Sequence, residues 1–409
     1  MNNQVHYAFL TKLIPNSFID EYQKKSKHST MPAADSALEQ HIYKGLRENL
    51  DQRISVFNIM QVFNYPQCYK DAFIRESFFN IGDDNGLLNV GFCNIIGIKN
   101  LSIARNVFKK LDEWCENNKG DKVVFVYSLM TPFMVALSKL KRLHNDLKVC
   151  AIVADLPNMS NLSNNISFAQ KMWSNYLSRK TYALQHCIDY YVLLTKQMAE
   201  YMNIQKPFCV MEGIATEFPK VQSLSNAALS KKIIFYAGTL HEKFGVRNLV
   251  DAFELIQDKD FQLIICGVGD SEGYIKTASK KDRRIVFLGR QPRKKVLELI
   301  KSASVLVNPR QNNEEFTKYS FPSKNLEYLS SGIPFVAYKL DGIPDEYNEY
   351  INYVEDNSIE TLKNKIENVL LDEFDSYKRK AKNGVDFVLK NKSAISQVKK
   401  IVDMCSNNG

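Results

Sequence analysis

Twice along this chain, short apolar runs alternate with amphipathic segments, and a stretch with neither pattern separates the two series. This rhythm is the strongest constraint on the fold. An apolar run without polar alternation is a strand buried on both faces, and helical periods between such runs supply the layers that cover it. In the first half, Val5–Thr11 and Ile54–Val62 read as strands, with a polar insertion between them that turns helical near Pro32–Leu46. Regular alternation follows: the apolar run Gly91–Gly97, a helix Asn100–Asn117, a strand Val123–Tyr127, a helix Thr131–His144, a strand Val149–Val153, a helix Phe168–Gln185 and strands Tyr190–Leu194 and Phe208–Met211. In the second half, strands Ile233–Tyr236, Phe261–Cys266, Ile285–Leu288, Val305–Asn308 and Phe335–Tyr338 alternate with helices such as Val246–Ile256 and Arg293–Ser302. The expected class is α/β, with parallel, doubly wound sheets.

At 409 residues the chain exceeds what one core organises, so two domains are expected. Rhythm breaks in GIATEFPKVQSLSNAALSKK, which sets the boundaries at 1–213, a linker 214–232 and a second domain 233–385. Residues 386–409 read as a C-terminal helix that packs back on the first domain. The eight cysteines are scattered without a C-x-x-C pair, as buried thiols of a reducing cytoplasm are, and no zinc or disulfide framework is expected. No signal peptide precedes the first strand, and the best apolar run, Leu129–Leu137, contains Thr131 and Pro132 and is too short to span a membrane. The net charge of +9 is concentrated at Lys139–Arg142, Lys280–Arg284 and Arg293–Lys295. Such clusters suit solvated helix ends or an anionic bilayer; a nucleic-acid partner is not expected without an aromatic-basic platform.

Chemistry concentrates in PRQNNEEFTKYSFPSKNLEYLSSGIP, from Pro309 to Pro334. A strand ends there and a helix starts near Pro322, Ser323 and Lys324, so free backbone N–H groups and a lysine favour an anion. Glu327, one turn later, is placed to accept from hydroxyls. A cation beside a carboxylate at that spacing suits a ligand that is phosphate at one end and polyol at the other. Two further strand ends converge on the same sheet edge. Gly238-Thr239 leads to Lys243, and Gly267 and Gly269 follow the strand at Cys266, either for close ligand approach or for a plain tight turn. Asp155, at the end of Val149–Val153, sits where α/β sheets place working residues, and serves equally as a turn or helix-cap residue.

The segments YAGTLHEKFGVRNLVDAF, LIICGVG, RRIVFLG, ASVLVNPR and SFPSKNLEYLSSGIP, in this order, resemble the C-terminal domain of family 4 GT-B glycosyltransferases, of the bacterial surface-polysaccharide type. The resemblance is strong over about Lys232–Leu371 and is one of rhythm, VADLP and VMEG before that. It implies two Rossmann-like domains facing across a cleft. It also implies metal-independent transfer, with retention of configuration, from a nucleotide sugar (uridine being the commonest base) to a lipid-linked or growing surface polysaccharide, in the cytoplasm and peripheral to the inner face of the membrane. By the same resemblance Glu327 holds the donor ribose, Lys243 neutralises the diphosphate, Gly238 admits the donor, Ser323 and Lys324 serve the phosphates through the helix entry, and Thr239, Gly267, Gly269, Tyr319, Ser320 and Pro322 complete the donor-binding set. The chain departs from the family at three places. Thr239 stands where arginine is usual, Tyr319 where the first glutamate of a pair is usual, and Ala154 where histidine precedes Asp155. Glu314 or Glu315 is a substitute for that glutamate, and Glu315 is taken as catalytic with Lys243 and Asp155. Two alternatives follow from these departures, a non-catalytic nucleotide-sugar- or partner-binding protein and a nucleotide-sugar epimerase. Consumption of donor only with acceptor present separates both from a transferase.

Overall fold

The computed structural model describes residues 5–27, 33–157, 168–220, 232–372 and 374–407. The chain forms two compact units, Met1–Ile214 with Ala394–Gly409, and Ala215–Ser393. Most of the expected linker, residues 221–231, and the polar loop expected after Asp155 lie outside the described residues.

The first unit begins β1 (His6–Thr11), α1 (Ile19–Lys25), α2 (Ala33–Asn49) and β2 (Ile54–Asn58). Four short strands follow, β3 (Phe73–Ile74), β4 (Ser77–Ile81), β5 (Asp84–Asn89) and β6 (Phe92–Cys93). It continues through α3 (Lys99–Asn117), β7 (Lys122–Tyr127), α4 (Thr131–Leu143), β8 (Leu147–Val153), α5 (Phe168–Ala183), β9 (Tyr190–Leu193), α6 (Lys196–Tyr201) and β10 (Phe208–Val210). The main sheet runs β10-β9-β8-β7-β1-β2-β5-β4, and only the edge pair β4–β5 is antiparallel. The expected strand at Ile54–Val62 stops at Asn58, whose side-chain amide turns to Leu13 O and Asn89 Oδ1 and ends the apolar run in a polar knot. Within Gly91–Gly97 only Phe92–Cys93 is strand, and it pairs with β3 outside the main sheet.

The second unit is a six-stranded, all-parallel sheet. Its elements are β11 (Lys232–Thr239), α7 (Val246–Glu254), β12 (Phe261–Val268), α8 (Glu272–Lys281), β13 (Ile285–Gly289), α9 (Arg293–Ser302), β14 (Val305–Asn308), α10 (Ser323–Ser331), β15 (Phe335–Tyr338), β16 (Asn352–Val354), α11 (Ile359–Glu367) and α12 (Phe374–Asn391). The order β13-β12-β11-β14-β15-β16 places β11 at the centre, beside both β12 and β14. Alternate residues of each strand supply two separate cores. Ile234, Tyr236, Leu263, Ile265 and Val307 pack with α7, α8 and α11, while Ile233, Phe235, Ala237, Ile264 and Leu306 pack with α9, α10 and α12. α7 shows why these segments are helical: Val246, Leu249, Val250 and Phe253 recur on one buried face.

The final helix, α13 (Ala394–Asn407), belongs to the first unit. It begins at Ala394 rather than 386, because residues 386–391 complete α12. Val398 and Ile401 are fully buried in the first unit's core. Gly45 of α2 makes the crossing possible, since a Cβ there would stand 2.5 Å from Ala394 O and from a methyl of Val398.

Candidate functional site

The centre of the second unit's sheet delivers two cations to one cavity. Asn308, the last residue of β14, donates its side-chain amide to Asn325 Oδ1 of α10 at 2.8 Å, and the backbone N–H of Ala237 donates to the Tyr328 hydroxyl at 3.2 Å. These two bonds fix the start of α10 against β14 and β11. Lys324, in the first turn of α10, consequently lies beneath Gly238: a Cβ on Gly238 would meet its Nζ at 2.2 Å. A side chain at 238 would have to push the lysine aside.

Arg310, two residues past β14, is the second cation. Its guanidinium lies over the rings of Phe244 (5.0 Å) and Phe316 (4.3 Å), and its Nη2 donates to Ser320 Oγ at 3.0 Å. Arg310 Nε is buried without a hydrogen-bond partner. Tyr236, Phe244, Asn308, Arg310, Phe321, Pro322, Ser323 and Lys324 line a cavity of about 220 Å³. Burial pushes Lys324 below the usual lysine range, Glu327 offsets this in part, and the like charge of Arg310 adds to it. Burial likewise lowers Arg310, to about 10. Neither makes an ion pair with a carboxylate among the described residues. Two desolvated cations side by side are costly unless an anion completes them.

The other expected residues divide around this cavity. Ser320, Pro322 and Ser323 belong to it or touch its arginine. Tyr319 closes the short 3-10 turn Glu315–Tyr319 that leads in. Glu327 is engaged through Oε1 by Arg293, the first residue of α9. Lys243 lies in the turn after β11 but is not among the lining residues; its Nζ is 3.7 Å from Glu314 Oε2. It is Glu314 that faces Lys243, whereas Glu315 is exposed. Thr317 donates both its N–H and its hydroxyl to the Glu314 carbonyl and holds that residue at the mouth of the turn. A second cavity, of about 210 Å³, is lined by Gly238, Thr239, Gly267, Arg290 and Gln291, among others. Gly267 lines it, yet its missing side chain answers to the neighbouring strand, because a Cβ would stand 1.8 Å from Gly238 O. Gly269 similarly fits against the Leu240 backbone. Both glycines thus answer to packing of the strand ends.

Asp155 lies in the first unit, exposed just beyond β8. The same unit holds a larger cavity, of about 730 Å³, whose walls include Phe18, Glu21, Tyr65, Asp71, Phe73 and Glu76. All eight cysteines are free, four of them buried. No group of three or more His, Cys, Asp or Glu side chains able to hold a metal ion occurs among the described residues. No helix among them is long and apolar enough to cross a membrane.

Sequence reasoning passed over Arg310, Phe244, Phe316, Tyr236 and Arg293. Arg310 stood inside the singled-out stretch, next to Pro309 at a strand end, and that position was its signal. The aromatic partners carried no local signal.

Comparison with known proteins bears on the fold and on the second unit. Residues 219–387 match the family described as Glycosyl transferases group 1. No curated protein sequence matches the chain. Among solved structures the chain is similar to HepE of Anabaena in complex with UDP (13% identity, 98% of this chain and 100% of that one, TM-score 0.62). It is also similar to sucrose-phosphate synthase of Thermosynechococcus elongatus (13%, 98% and 99%, 0.65) and to the lipopolysaccharide outer core galactosyltransferase WaaB (12%, 99% and 100%, 0.62). The chain has the two-domain α/β GT-B fold of these structures, and residues 219–387 of its second unit match a Glycosyl transferases group 1 domain.

Proposed function

We propose that this enzyme moves a sugar from a UDP-sugar to a carbohydrate or lipid-linked acceptor of surface-polysaccharide type, with retention of configuration and without a metal ion. The observation that carries the reading is the pair Arg310 and Lys324, desolvated at one cavity with no carboxylate among the described residues paired to either. Negative charge grows on the diphosphate as the sugar leaves, and fixed cations in a low-dielectric site meet it without reorganising. Arg310 replaces, from another strand end, the guanidinium that the family carries at position 239. Lys243, released from Glu314, adds a third positive charge, and Glu315 plays no part. Glu327 keeps the ribose role through Oε2, since Arg293 engages Oε1. HepE, solved with UDP and with UDP-glucose, supports the choice of donor, and the lipopolysaccharide outer core galactosyltransferase WaaB supports the class of acceptor.

On the acceptor side, the first unit's large cavity offers the aromatic walls Phe18, Tyr65 and Phe73 for sugar rings, while its carboxylates Glu21 and Asp71 pair with Lys25, and Glu76 with Lys110; Asp155, exposed beyond β8, keeps its place as the first unit's candidate catalytic group. The basic clusters expected to meet a bilayer are partly consumed locally, as Lys141 pairs with Asp189, Arg284 with Asp282 and Arg293 with Glu327. The test is calorimetric titration of UDP into wild type and Arg310→Ala, followed by turnover of UDP-sugars with oligosaccharide acceptors in the presence of EDTA. UDP binding that is weakened in the variant, and EDTA-resistant transfer giving a product of the donor's anomeric configuration, are expected. Failure of UDP to bind wild type, or transfer that stops in EDTA, would overturn the reading.

A further inference from the structure

Helix α5 turns large apolar side chains to solvent and buries hydroxyls, the reverse of a core element. Its apolar side chains Met172, Trp173 and Tyr176 are 59%, 57% and 54% exposed, while Ser178 and Thr181 are buried. Hydroxyls make the inward contacts: Ser178 donates to Pro157 O at 3.2 Å, and Thr181 bonds Thr131 Oγ1 of α4 at 2.8 Å. The outward rings of Trp173 and Tyr176 pack together with centroids 5.6 Å apart. At a helical period, Arg179 and Lys180 fall in the same third of the circumference as Met172, Trp173 and Tyr176, and Ser178 and Thr181 fall opposite. Both cations are exposed. From Leu156 to Ile188 the sequence contains no Asp or Glu. Trp and Tyr favour the boundary between headgroups and acyl chains, and cations flanking them complement anionic lipid.

We propose that α5 is a membrane-docking helix, with Met172, Trp173 and Tyr176 seated in the interface of an anionic bilayer and Arg179 and Lys180 against lipid phosphates. The charge of the patch selects this occupant, because a second copy of α5 would bring like charge against like. The proposal deepens the lipid-linked acceptor reading by holding the enzyme on the surface where such an acceptor resides. It makes no use of the donor cavity.

The experiment uses the full chain with vesicles of phosphatidylcholine, with and without phosphatidylglycerol. Trp114 is buried and hydrogen-bonded to Ser55, so Trp173 is the environment-sensitive one of the two tryptophans. Expected are co-sedimentation with the anionic vesicles only, and a blue-shifted, quencher-protected emission that is absent in Trp173→Phe. At roughly fivefold per cation near an anionic leaflet, Arg179→Gln with Lys180→Gln weakens partitioning by about 25-fold. The triple variant Met172→Ser, Trp173→Ser, Tyr176→Ser loses vesicle binding and keeps the thermal stabilisation by UDP, which reports on folding and on the donor site separately. Absence of vesicle binding in wild type overturns the proposal. So does a Trp173 emission already shielded without lipid, which would show that the chain itself or a second copy covers the patch. In either case retained UDP stabilisation leaves the donor reading standing.

Discussion

Gly238→Ala isolates the ligand-facing role of the strand end from its structural role. An added Cβ would stand 2.2 Å from Lys324 Nζ, 2.3 Å from its Cε and 3.0 Å from the Tyr236 hydroxyl. The first two are the far end of a flexible side chain, so the lysine swings aside while the strand stays in place. The backbone at 238 does not need positive φ, and alanine removes the entropy that glycine loses on folding. Stability should therefore stay within about 1 kcal/mol of wild type. UDP affinity should not survive unchanged, because a charge-assisted bond to phosphate contributes roughly 1.5–3 kcal/mol, or about 10- to 150-fold in Kd. Calorimetric titration with UDP, alongside urea unfolding, measures both quantities. Gly267→Ala is the control. There φ is +145° and the clash at 1.8 Å is with the Gly238 carbonyl, so about 2 kcal/mol or more of stability should be lost. A folded Gly238→Ala protein that binds UDP as wild type does would show that Lys324 does not reach the phosphates.

The remaining expectations use other parts of the chain. Arg310→Lys keeps the charge but loses the planar stack on Phe244 and Phe316, and UDP affinity by calorimetry should fall by about tenfold or more. Lys324 and Arg310 are both held low by burial, Arg310 at about 10, and an anion raises both, so UDP should bind with proton uptake at alkaline pH and weaken as pH climbs toward that range; buffer-dependent calorimetric enthalpies measure the uptake. Lys99 in the first unit is pushed by burial from 10.5 to about 8, so its buried charge penalises the fold below pH 8 and the penalty is relieved between pH 8 and 10.5; wild type should gain stability relative to Lys99→Met across that window in urea titrations. Ile401→Ala, at a fully buried position of α13, should lower unfolding stability by about 2–5 kcal/mol.

The second unit was legible because a sheet buried on both faces writes each strand as an unbroken apolar run. IIFYA and LIIC are such runs, and their alternate residues feed the two cores. The far edge of the first unit was not legible on that basis. β4 and β5 are half-exposed and alternate, so no apolar run marks them. The only local cue was the two-residue Gly82-Asp83 turn, with Gly82 at φ +58°, as a tight hairpin requires. The break between α12 and α13 was hidden for a related reason. Both helices are amphipathic, and nothing in their period shows that the second turns its face to a different core.

In the site, sequence separated what space brings together. Lys324 and Glu327 were readable because one helical turn relates them, and Lys243 because it follows a glycine after a strand. Arg310 draws its character from Phe244, 66 positions earlier (310 − 244), and from Phe316 across a loop. A guanidinium held over two rings needs no carboxylate to position it, and its charge stays available for a ligand. Lys243 is the opposite case, since Glu314 already sits 3.7 Å from it and a donor must compete for that lysine. In the proposed reading the anion is therefore captured first by Arg310 and Lys324, with Lys243 adding its charge only once Glu314 releases it. Removing Glu314 should then leave donor binding intact or help it, where removing Arg310 or Lys324 weakens it by about tenfold or more. Glu314→Gln with UDP affinity equal to or tighter than wild type supports that order, and a large loss of affinity refutes it.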